Sequence, residues 1–198
     1  MTIDQVRVWD PFVRIFHWSL VTAFVVAYVT EDDPMWLHEI AGYVVLGLVI
    51  FRLVWGVVGT RYARFSNFVC SPVVVKQYLT TFFKPDAPRY YGHNPAGGWM
   101  VVALLIMLAL TSWTGIKLEE VETSGQASQA IEIINSAHAD DGHEDNVNQD
   151  NEFWEEIHEV TANITLLLIF VHIAGVLFTG FFHGQNLVRA MWTGKKNK

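Results

Sequence analysis

The chain has 198 residues, 52% of them hydrophobic and only 17% charged, with a formal net charge of -7 and a single cysteine, Cys70. That composition excludes a disordered chain and a disulfide scaffold. For want of clustered Lys and Arg it also excludes a nucleic-acid-binding surface. An integral membrane protein is the class that remains.

A segment crossing hydrocarbon finds no partner for a free N–H or C=O, so it must be a helix of roughly 17 to 25 mostly apolar residues. Four segments qualify: about 12–29, 37–58, 98–116 and 160–182. The expected fold is therefore an all-α membrane protein, a single four-helix bundle. The first segment lacks a small-x-small cleavage pattern after Ala27 and is read as a retained helix rather than a signal peptide. Between spans two and three, Val73, Val74, Tyr78, Leu79, Phe82 and Phe83 form one apolar face of an expected interfacial helix over Ser71 to Phe83. Asn94-Pro95 then reads as the cap and first residue of span three. Residues 117–155 form a long acidic loop, expected to be solvated and partly mobile.

Lys and Arg in short flanks set orientation. Arg7 and Arg14 precede span one, and Arg61, Arg64, Lys76, Lys84 and Arg89 lie between spans two and three. Arg189, Lys195, Lys196 and Lys198 follow span four. The opposite side has Lys117 alone among many acids. Both termini are thus expected in the cytoplasm.

Ionisable residues inside a bilayer are costly, so each is a functional hypothesis by default. His17 lies in span one, His38 at the outer start of span two, His158 at the outer start of span four and His172 well inside it. His158 and His172 are 14 residues apart, which places them about 21 Å apart along the axis and within roughly 40° of one face. The four sort into an outer pair, His38 with His158, and an inner pair, His17 with His172. Paired imidazoles at one depth are what a six-coordinate haem b requires, one above the iron and one below. Two haems per chain are expected, and without a Cys-x-x-Cys-His motif neither is covalently attached. The competing reading of each histidine is an interhelical hydrogen bond.

Haem propionates need cationic neighbours. Arg52, 14 residues after His38, faces the inner level and is the first candidate, with Arg14 and Arg61 beside it. Lys117 is the candidate for the outer haem. His93 in the inner loop is read either as a proton route for a quinone or as an interface anchor, and His183 as an interfacial residue. His138 and His143 among acids fit no tight metal site.

These residues resemble the bacterial di-haem cytochrome b family that includes prokaryotic cytochrome b561 and the b-type cytochrome subunits of nickel-iron hydrogenases. The resemblance rests on Val8-Trp9-Asp10-Pro11 with Arg14-Ile15-Phe16-His17-Trp18, on Leu37-His38-Glu39-Ile40-Ala41-Gly42-Tyr43, and on Phe51-Arg52-Leu53-Val54-Trp55-Gly56. Gly92-His93-Asn94-Pro95, His158-Glu159 and His172 complete it. It implies haem ligands at His17, His38, His158 and His172. It also implies electron transfer between the quinone pool and a periplasmic partner, such as a c-type cytochrome, a dehydrogenase or a hydrogenase. The acidic outer loop is longer than in the plainest members. Two other readings stand beside this one: direct oxidation or reduction of superoxide or ferric iron at the outer haem, and a proton or metal-ion transporter. Self-association into a homo-oligomer is left open.

Overall fold

The computed structural model describes residues 5–82, 90, 92–135 and 142–197, with the backbone alone at 5, 126–135, 142–148, 183 and 197. A short strand β1 (Gln5–Arg7) leads into helices α1 (Pro11–Val29) and α2 (Met35–Val58). A 3-10 turn at Phe65–Asn67 and helix α3 (Pro72–Thr81) precede two long helices, α4 (Pro95–Asn135) and α5 (Gly142–His183). Helix α6 (Leu187–Thr193) and strand β2 (Lys195–Asn197) complete the described order. The molecule is all-α apart from the two strands, and α1, α2, α4 and α5 each contain a stretch long and apolar enough to cross a membrane.

Local chemistry explains the helix starts. Asp10 caps α1 by accepting from Val13 N at 2.9 Å, with Pro11 following as the first helical residue. Asn94 does the same for α4, accepting from Gly97 N at 2.6 Å ahead of Pro95. Such caps satisfy N–H groups that have no carbonyl one turn back. Asp10 also accepts from Trp55 Nε1 at 3.3 Å and Thr60 Oγ1 at 2.5 Å, so one carboxylate ties the start of α1 to the end of α2.

Helices α1 and α2 form an antiparallel pair, α4 packs on α2, and α5 runs along α4. The main core is Phe16 and Ala23 from α1, Val45 and Val49 from α2, and Leu105 and Leu108 from α4. No α5 residue joins it. Among the described residues α5 makes no extensive backbone contact with α1 or α2. The fourth helix is held by the third, leaving its approach to the first pair to side chains.

The stretch expected as a loop is largely helical. Helix α4 continues to Asn135 and α5 begins at Gly142, so two helices extend beyond the apolar spans as a stalk of roughly 25–30 Å. Gln126, Ala127, Gln129, Ala130 and Glu132 have high helix propensity, and continuing an existing helix requires no new nucleation. Polarity at this stretch marks the exit from hydrocarbon rather than the end of the helix. Residues 136–141 lie outside the described part.

The opposite end carries a clasp the sequence reading did not anticipate. Strand β1 pairs antiparallel with β2, Val6 opposite Lys196, and Val8 N and Trp9 N donate to Gly194 O at 2.9 and 3.2 Å. Gly194 has φ of 78°, and a Cβ there would meet Trp9 O at 2.6 Å, so the close backbone approach depends on glycine. Beneath it Val8, Trp9, Val13, Ala63 and Ala190 form a second buried cluster. Replacing Asp10 by alanine removes the α1 cap and two side-chain hydrogen bonds together. It should cost about 1–3 kcal/mol, read as a lowered unfolding temperature of the detergent-solubilised protein.

Candidate haem sites

At the stalk end the His38 and His158 rings face one another with centroids 6.0 Å apart and planes at 79°. His38, in the first turn of α2, has its Nδ1 2.8 Å from Ala27 O. That carbonyl lies in the last turn of α1, where helix carbonyls have no intrahelical donor. His158 Nδ1 lies 3.0 Å from Thr111 O and 3.1 Å from Thr114 Oγ1, both on α4. Two carbonyl acceptors thus place the ring proton on Nδ1 in both residues. Among the described residues neither Nε2 has a hydrogen-bond partner, and each is left with its lone pair available to a metal.

These residues fit a bis-imidazole metal centre. Two rings sharing one metal through bonds of about 2 Å have centroids about 6 Å apart, which is the separation observed. Gly115 provides the space, since a Cβ there would come within 3.0 Å of His158 Cε1.

Toward the clasp end, His17 on α1 and His172 on α5 lie within electrostatic reach of one another. His17 stacks edge-on to Trp18, with centroids 5.2 Å apart, and its Nδ1 is buried with no partner among the described residues. Arg52 is only 3% exposed. Its guanidinium lies 4.9 Å from the Phe65 ring and 6.0 Å from that of Phe68, and its Nη1 is buried without a partner. Gly56 makes this seat, because a Cβ there would overlap the Phe65 ring.

Next to Arg52, His93 lies between Phe68 (centroids 4.4 Å apart) and Trp9 (4.6 Å), its Nδ1 also buried and unpartnered. Lys196 from β2 closes the group. It is 7% exposed, its Nζ lies 5.6 Å from the Trp9 ring, and it donates to Gly92 O at 3.3 Å. Among the described residues no carboxylate forms an ion pair with Arg52 or Lys196. Two buried cations thus lie within electrostatic reach of one imidazole, and the Asp10 carboxylate, which acts on Arg52 at a distance, is hydrogen-bonded to Val13, Trp55 and Thr60 instead of paired with it. Burial holds Lys196 down at about 8. Burial first, then the nearby Arg52, Lys196 and His172 charges, pushes His93 down to about 3.

The other expected cations are placed differently. Arg14 donates from Nη1 to Trp192 O at 2.6 Å, joining α1 to α6. Arg61 is exposed beside the Tyr62 ring. Lys117 is paired with Glu120 at 2.7 Å, so its charge is already answered on α4. The side chains of His138, His143 and His183 lie outside the described residues. Lys196 and the threonines around His158 were not singled out from sequence. A groove of about 500 Å3 between α1 and α2, lined by Ser19, Thr22, Val26 and Ile40 among others, is not a haem site. Val26 lies half a helical revolution from His17, so the groove opens on the other side of α1 from that residue.

The family model described as prokaryotic cytochrome b561 matches residues 8–194. The chain belongs to the prokaryotic cytochrome b561 family. Membership makes it a membrane cytochrome that binds b-type haem and transfers electrons across the bilayer. No curated protein and no solved structure matches it. In this cytochrome the matched stretch holds His17, His38, His158, His172 and Arg52, and reaches Gly194 in the clasp.

Because burial keeps His93 neutral when folded, while an unfolded imidazole protonates near pH 6.5, its contribution is fully present above that pH. It is lost as pH falls from about 6.5 toward 3. The unfolding temperature should therefore fall over that window, and His93→Gln should flatten the fall.

Proposed function

We propose that this cytochrome holds two b haems and passes electrons between a quinone in the membrane and a periplasmic redox protein. His38 and His158 are assigned to one haem, and His17 and His172 to the other. The observation that carries the assignment is the facing His38 and His158 rings, both with Nδ1 committed to helix carbonyls. His17, with a buried free Nδ1 close to His172, supports the second site.

When bound, haem b supplies the one-electron couple. The residues determine where it sits and what surrounds it. Ala27 O and Thr111 O fix the tautomer and plane of two ligands, while Phe65 and Phe68 hold Arg52 in position for a propionate. Lys196 adds a second positive charge on that side. The separation of α5 from α1 and α2 leaves the side chains between them as the walls of the haem space, and the surrounding apolar helices exclude water. His93, at the clasp end, is the candidate for hydrogen bonding to a quinone head group.

The clasp end is assigned to the cytoplasm because Arg7, Arg14, Arg61, Arg64, Lys76, Arg189, Lys195 and Lys196 cluster there, against Lys117 at the other end. The stalk then stands in the periplasm, carrying Glu119, Glu120, Glu122, Glu152, Glu155, Glu156 and Glu159 beside the His38–His158 site. This charge favours a basic partner such as a small c-type cytochrome.

Two haems per chain should be recovered on extraction. Alanine at His38 or His158 should remove one spectral component, and alanine at His17 or His172 the other. A single haem in the unsubstituted protein, or loss grouped by helix instead of by depth, would reject the assignment. Electron transfer with a basic c-type cytochrome should slow severalfold as ionic strength rises from about 0.01 to 0.15 M. A rate indifferent to salt would remove the acidic stalk from partner recognition.

A further inference from the structure

His158 is held by a polar string buried where α4 meets α5. Thr111 Oγ1 lies 3.1 Å from Thr165 Oγ1, and Thr165 Oγ1 donates to Thr161 O at 2.8 Å. Thr161 Oγ1 donates to His158 O at 3.0 Å and lies 3.3 Å from Thr114 Oγ1. Thr114 Oγ1 donates to Thr111 O at 2.9 Å and faces His158 Nδ1 at 3.1 Å. Thr114 is 2% exposed and Thr165 fully buried, so no solvent stands ready to replace either hydroxyl.

Counting donors shows which acceptor serves the ring. Thr111 O already receives the Gly115 N–H of the helix ladder and the Thr114 hydroxyl, and a carbonyl oxygen has two lone pairs. A third donor, His158 Nδ1–H, therefore oversubscribes it. The Thr114 oxygen spends its proton on Thr111 and keeps its lone pairs, and donating makes it a better acceptor. At the other site His17 Nδ1 has no acceptor among the described residues, and the cations Arg52 and Lys196 gather toward that end. The two sites differ in the hydrogen bonding of their ligands and in local charge.

We propose that Thr114 is a positioning residue for the stalk-end haem. Its hydroxyl oxygen shares the His158 Nδ1–H with Thr111 O, fixes the ring plane, and sets that haem's reduction potential below that of the clasp-end haem. An acceptor drawing on Nδ1–H makes the imidazole more basic and favours ferric iron. Cations at the clasp end favour ferrous iron there. Both influences separate the two potentials in the same direction. The inference rests on the two-haem reading, and the experiment separates the two.

Haem is first quantified in the unsubstituted protein, where fewer than two per chain rejects that reading. With two present, each variant is followed by optical redox titration and by low-temperature electron paramagnetic resonance of the ferric haems. Thr114→Val keeps the side-chain volume but loses the acceptor. It should raise the midpoint of the lower-potential component alone, changing its oxidised-to-reduced ratio at fixed potential by about threefold to tenfold, where tenfold is 59 mV for one electron. Thr114→Ser should restore the original value. Gly115→Ala, which presses on His158 Cε1, should move the resonance of the same component. Should Thr114→Val not assemble, Thr114→Cys, a weak acceptor, carries the same expectation. Unchanged midpoints, an equal shift of both components, or a shift in the higher-potential one would overturn the proposal.

Discussion

An imidazole in hydrocarbon must find an acceptor for its N–H, and in a helical bundle the nearest supply is carbonyl oxygen. Two ways of obtaining one are visible here. His38 takes Ala27 O from the frayed end of α1, a carbonyl the helix itself cannot use. His158 takes a carbonyl from the middle of α4, which is already engaged, and needs the Thr114 hydroxyl beside it. Once both Nδ1 atoms are committed, the two Nε2 atoms are left without a hydrogen-bond partner among the described residues, which is what the proposed stalk-end haem site requires.

The same constraint shapes the packing. Helices α1, α2 and α4 share an apolar core, whereas α5 is joined to α4 through threonine hydroxyls, His158 and the Trp113–Trp154 ring contact. Hydroxyl pairs let two helices approach closely where lipid offers no hydrophobic drive for association. An arm fixed along one side in this way presents His158 toward His38 on α2, and His172 within electrostatic reach of His17 on α1. The aromatic seat around Arg52 has a related logic. Phe65 and Phe68 offer ring faces to a guanidinium far from water, and Gly56 makes room for one of them.

Much of this was legible in the sequence because periodicity and depth are linear quantities. Four apolar runs located the membrane helices. The interval from His158 to His172 repeats between His38 and Arg52, which placed Arg52 at the level where the structure buries it. Asn94 followed by Pro95 marked the start of α4, whereas the Asp10 cap of α1 emerged only from the structure. The stalk was less legible: acidic and small polar residues look like a loop once hydropathy falls, although a helix already under way continues through them. Thr111, Thr114, Thr161 and Thr165 carried only a faint signal, three- and four-residue spacing on two helices with His158 one turn away. Lys196 carried none, because its burial depends on pairing across nearly the whole chain.

That long-range pairing imposes an order on biosynthesis. Residues 5–7 leave the ribosome ahead of every helix, yet the strand that completes their sheet follows all four long ones. Val8, Trp9 and the Lys196 ammonium therefore reach their native surroundings only after α5 has been made. Packing of the clasp against His93 and Gly92 is completed after every long helix has been made.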